Sequence, residues 1–81
     1  MARVVLTGNL KHYTGGATEL ELDARTVRHL FGLLAERYPL LGPHLETGLA
    51  VAIDGRMYQD AWLEPIPSDA EVYLMPQIAG G

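Results

Sequence analysis

A single stretch of this chain places apolar side chains at the spacing of an α-helix, and the runs on either side of it alternate with a period of two. Val27, Leu30, Phe31, Leu34 and Tyr38 recur at three- and four-residue intervals, and Leu33 widens the stripe. One such stripe must be laid against an apolar face supplied by other elements. Thr26 stands just before it, where a hydroxyl can accept an otherwise unpaired first-turn amide. Pro39 sets the far end, because the residue before a proline, Tyr38, is pushed out of the helical region. Gly42-Pro43 reads as a further break.

The partner face comes from the alternating runs. From Arg3 to Thr7, Val4 and Leu6 share one face while Arg3, Val5 and Thr7 take the other. From Thr18 to Asp23, Leu20 and Leu22 oppose Glu19 and Glu21. The segment from Gly8-Asn9 to Gly15-Gly16 reads as a polar connection, so these two strands make a hairpin. After the helix, Leu49 to Asp54 turns Val51 and Ile53 inward and Ala50 and Ala52 away. Asp54-Gly55 is a tight-turn signal into a short strand near Met57-Tyr58. Residues 60–70 are irregular, broken by Pro65 and Pro67. The last strand, Glu71 to Met75, has Val72 and Leu74 inward and Tyr73 and Met75 outward, and Pro76 ends it. A helix that crosses over after a hairpin makes a mixed sheet. The expected class is α+β, in the β-grasp or ubiquitin-like arrangement, with one helix packed on one face. Residues 1–76 form the domain, and residues 77–81 a flexible tail ending in Gly80-Gly81.

Bulk properties exclude several function classes. Eighty-one residues make one small domain, which buries only about 60% of its unfolded surface. There is no cysteine, hence no disulfide framework, cysteine metal site or thiol nucleophile, which fits a cytoplasmic protein. The formal charge is -4, and the basic residues Arg3, Lys11, Arg25, Arg28, Arg37 and Arg56 are scattered, so no nucleic-acid partner is expected. The N-terminal apolar run is too short for a signal segment, and no stretch is long enough to span a membrane. His12, His29 and His44 lack ligand spacing, so no metal site is expected. Gly15-Gly16 is followed by no Gly-Lys-Ser/Thr and reads as a turn. Glu19 and Glu21 share a face but have nothing apolar to desolvate them, so they read as solvated surface. Trp62, Leu63 and Ile66 are expected to cap the core.

The element order, the Thr26-Val27 helix start and the ending Leu74-Met75-Pro76-Gln77-Ile78-Ala79-Gly80-Gly81 resemble the ubiquitin-like sulfur-carrier family. That family contains the small subunit of molybdopterin synthase, the thiazole-synthesis carrier and the cysteine-biosynthesis carrier. The resemblance covers nearly the whole chain, and its specific part is the C-terminus. Length favours the molybdopterin and cysteine types. Tyr13-Thr14-Gly15-Gly16 and the Ala79-Gly80-Gly81 ending are somewhat more similar to the cysteine type. Two departures stand out: Ser68-Asp69-Ala70-Glu71 where the family commonly has an Asp-Gly-Asp turn, and Gln77 where a proline or apolar residue is usual. Two terminal glycines alone arise by chance in about one chain in 200. Their weight comes from the element order that precedes them.

The resemblance implies a carrier, not an enzyme, with no bound cofactor. A ubiquitin-activating-type partner would use ATP to adenylate the Gly81 carboxylate, and a sulfur donor would convert it to a thiocarboxylate. A sulfur-accepting synthase would then consume it, with molybdopterin, cysteine or a related metabolite as the product. A thiocarboxylic acid is far stronger than a thiol of pKa about 8.5, so its sulfur is anionic without a neighbouring base. Gly80 and Ala79 give clearance in enclosed sites. From Pro76 onward six residues reach roughly 20 Å when extended. Val5, Ala52, Tyr73 and Met75 fall, by alternation, on the sheet face opposite the helix. With Pro76 and Ile78 they are the expected partner-binding surface. A protein modifier joined through Gly81 to lysines would use the same activation, and an interaction module with an inert tail is a third reading.

Overall fold

The structure, a computed structural model, describes residues 1–47, 49–59 and 61–76, and the backbone alone at 46 and 47. Its strands are β1 (Ala2–Leu6), β2 (Glu19–Leu22), β3 (Leu49–Ile53), β4 (Arg56–Tyr58) and β5 (Glu71–Pro76). Its helices are α1 (Val27–Arg37) and α2 (Gly42–Thr47), with 3₁₀ segments at Gly8–Tyr13 and Pro39–Leu41. The strands form one sheet in the order β2-β1-β5-β3-β4. β1 and β5 run parallel, Val4 beside Val72 and Leu6 beside Leu74, and every other pair is antiparallel. This is the expected mixed sheet, with α1 on one face.

The alternating pattern becomes the two faces of that sheet. Val4, Leu6, Val72 and Leu74 are buried beneath α1, which contributes Val27, Leu30, Phe31 and Leu34. Each such side chain contributes about 1.5–3 kcal/mol of burial. The start of α1 is anchored by side chain and loop together. The Thr26 hydroxyl accepts from the His29 amide at 3.1 Å, as its position before the stripe predicts. The Val27 and Arg28 amides donate to the carbonyls of Glu64 (3.1 Å) and Trp62 (2.8 Å). The irregular segment after β4 thus satisfies the amides that a helix start leaves unpaired. Within it, Ile66 is buried and Trp62 packs edge-on to Phe31, ring centroids 5.1 Å apart. Leu63 does not cap the core; it is 77% exposed.

Two local readings change. Gly42-Pro43 does not break the chain but opens α2. A proline in a first turn gives up an amide that has no helical partner anyway, so it is tolerated there. The connection after β1 is not simply polar either: it holds the 3₁₀ segment, with Leu10 inserted into the core. Asp54-Gly55 behaves as its sequence demands, with positive φ at both residues (49° and 88°) linking the paired Ile53 and Arg56. Asp69 also takes a left-handed φ of 63°, in the segment where the resembled family commonly carries Asp-Gly-Asp.

Candidate functional site

The face of the sheet turned away from α1 is divided along β5. At its start, Glu71 lies beside Arg3 of β1, which in turn faces Glu21 of β2. The Arg3 guanidinium donates to Glu19 Oε1, at 2.8 Å from Nε, and lies 3.7 Å from Glu71. The hydrogen bond to Glu19 and that carboxylate's charge hold the Arg3 pKa above its ordinary value. This end is a solvated cluster of ion pairs, as the alternation of Glu19 and Glu21 implies.

At the other end of β5 the same face is apolar. Tyr73 is 38% exposed and lies beside Val5 on β1 and Ala52 on β3. Met75, half-buried, is opposite Ala50. Directly paired residues of neighbouring strands share a face, so the four positions named from alternation are brought together. Ala52 lies there but offers little surface: it is 9% exposed, a small side chain set between the larger Tyr73 and Met57 on its two neighbours. It is the floor of the patch, as Ala50 is, rather than a contact in its own right. The residue that sequence reasoning missed is Met57, opposite Ala52 on β4 and 58% exposed. Three residues of β4 are too few to show an alternation, but the Asp54-Gly55 turn counted back along β3 would have found it.

The patch adjoins the point where β5 ends. Thr7, the residue after β1, grips that end: its amide (3.0 Å) and its hydroxyl (2.9 Å) both donate to the Leu74 carbonyl. Gly8 follows with φ +64°, and a Cβ there would come within 2.9 Å of Pro76 Cγ. Pro76 itself is exposed and pairs with Leu49. Ile78, Ala79, Gly80 and Gly81 lie outside the described residues.

Other sites are sparse. Among the described residues no three His, Asp or Glu side chains gather into a group that could hold a metal. His29 Nδ1 accepts from the Arg25 amide at 3.2 Å, and His44 stacks on Tyr13 with centroids 4.0 Å apart. Among them, too, no helix is long and apolar enough to cross a membrane.

The chain itself matches the family model of the ThiS family over residues 4–81. The chain belongs to the ThiS family. ThiS-family proteins are ubiquitin-like sulfur carriers, small carrier proteins rather than enzymes. No curated protein matches the chain. Solved structures share its fold at low identity. The Amycolatopsis orientalis BexX/CysO complex contains a chain 16% identical, matched over 100% of both chains with a TM-score of 0.78. Small archaeal modifier protein 1 from Methanosarcina acetivorans is 21% identical over 99% of this chain and 95% of its own, with a TM-score of 0.77. The complex of subunits 1 and 2 of the molybdopterin-converting factor from Helicobacter pylori 26695 gives 21% identity, coverage of 99% and 97%, and a TM-score of 0.70. Two of the three are complexes of a protein of this fold with a partner protein.

Proposed function

We propose that this ThiS-family chain carries sulfur as a thiocarboxylate on Gly81. The observation that carries the reading is the family match, which runs through the terminal Gly80-Gly81. In the first step a Gly81 carboxylate oxygen attacks the α-phosphorus of ATP on an activating partner and pyrophosphate leaves. A sulfide equivalent then attacks the acyl carbon, the bond to the AMP oxygen breaks, and the C-terminal thiocarboxylate remains. Its anionic sulfur attacks an electrophile in an acceptor synthase, and hydrolysis of the resulting acyl-sulfur bond returns the carboxylate. Nothing in the domain needs to act as acid or base. Its task is docking, which raises the local concentration of the tail in each partner's site. The exposed Tyr73 and Met57, with Met75 of β5 and Val5 of β1 on the same face as the Ala50 and Ala52 floor, support a docking surface there, with Pro76 and Ile78 following it in sequence. Gly80 and Ala79 give the tail clearance. The product that receives the sulfur, molybdopterin, cysteine or another metabolite, is set by the acceptor.

The likeness to a small archaeal modifier protein supports a second reading. There a lysine amine, not sulfide, displaces AMP from the acyl-adenylate and forms an isopeptide bond. Intact mass measurement after incubation with ATP, a sulfur donor and the cognate activating enzyme separates the two. The carrier gains the mass of sulfur replacing oxygen at Gly81, and both a chain lacking Gly81 and the variant Gly80→Trp stay unchanged while remaining folded. A ladder of isopeptide adducts with no sulfur gain would establish the modifier instead.

A further inference from the structure

The end of β5 is held by a contact between Gly8 and Pro76, the residue that follows the docking patch. Gly8 has a left-handed φ of +64°, and the space where its side chain would stand is filled by the Pro76 ring, 2.9 Å to Cγ and 3.0 Å to Cδ from an added Cβ. Most side chains in such a position could rotate aside. A proline ring cannot, because Cδ is bonded to the backbone nitrogen. Any atom added at Gly8 must therefore push the main chain of Pro76 itself. The residue before Gly8 fixes the strand from the other direction, with both Thr7 donors on the Leu74 carbonyl, two residues upstream of Pro76.

We infer that Gly8 is a positioning residue: its bare Cα seats the Pro76 ring and so sets the line along which the chain leaves the sheet toward Gly81. The inference rests on the carrier reading, since it gives that line its use. A tail of five residues has little spare length to make good an offset at its root when its carboxylate must reach a fixed point in an enclosed site. A misplacement of about 1 Å can cost about a hundredfold in rate, whereas the centre of the docking patch, Val5, Tyr73, Ala52 and Met57, lies on paired strand positions that Gly8 does not join.

The test compares G8A, G8N, P76A and G8N/P76A in thiolation by the activating enzyme. Asparagine tolerates the left-handed backbone that alanine does not, yet carries the same Cβ. It separates backbone strain from the encounter with Pro76. G8A and G8N should each lower kcat about tenfold or more with KM within about twofold of wild type. G8N/P76A should match P76A alone, because the colliding ring atoms are gone and asparagine accepts the backbone. Wild-type kcat in G8N, or an equal loss from G8N whether residue 76 is proline or alanine, would overturn the role. A second readout needs no activity: the Gln77 amide resonance should move in G8N and not move further when G8N is added to P76A. An unmoved resonance in G8N overturns the contact. A wild-type chain that no activating enzyme modifies overturns the carrier reading instead, and the resonance still decides the part played by Gly8.

Discussion

The two halves of the outer sheet face lie on the same strands and obey the same alternation, yet one is built to stay wet and the other to be covered. Around the start of β5, Arg3 is shared between Glu19 and Glu71, and each charge keeps its water. Around its end, Tyr73 and Met57 stand over Ala50 and Ala52, which are too small to be anything but floor. The difference confines the proposed docking surface to one half of this face. That apolar half lies at the end of β5, where the described chain reaches Pro76.

That division can be broken by substitution. The largest effect should come from Tyr73→Asp, which removes the central aromatic and sets a charge beside the alanine floor. A hot spot of this kind is worth about 2 kcal/mol or more, so KM for the activating partner should rise about thirtyfold, with the melting temperature nearly unchanged. Met57→Ala should weaken binding by about 1 kcal/mol, roughly fivefold, read by titration calorimetry against the same partner. Arg3→Ala should be smallest, leaving affinity within about twofold, because exposed ion pairs contribute little. A larger binding defect from Arg3→Ala than from Met57→Ala would invert the assignment of the two halves.

Much of this architecture was legible in the residues, and the failures have physical causes. The stripe from Val27 to Tyr38 and the alternation around Val4, Leu22 and Val72 each report a local burial pattern, which one segment can show by itself. Which strands become neighbours is a non-local outcome, and nothing in Arg3 to Leu6 names Glu71 to Leu74 as its parallel partner. Gly42-Pro43 was read as a break because both residues disfavour helix interiors. At a helix start that objection lapses, and α2 begins there. For the patch, alternation placed Val5, Ala52, Tyr73 and Met75 on the right face, but it carries no information about size. Ala52 sinks between larger neighbours, and Met57 was overlooked on a strand of three residues. Gly8 was visible only as a turn residue, because the ring that fills its missing side chain lies 68 positions away in sequence.

The parallel pairing of β1 with β5 also governs when this molecule can assemble. β1 spans Ala2–Leu6, and its central neighbour spans residues 71–76. Closing so long a loop before any reward is gained makes folding slow compared with a chain of local contacts. Until β5 has been made, the inner face of β1 has only the hairpin with β2 to shelter it, and an isolated hairpin is marginal in water. β5, flanked by β1 on one side and β3 on the other, is the strand whose placing joins the two hairpins into one sheet.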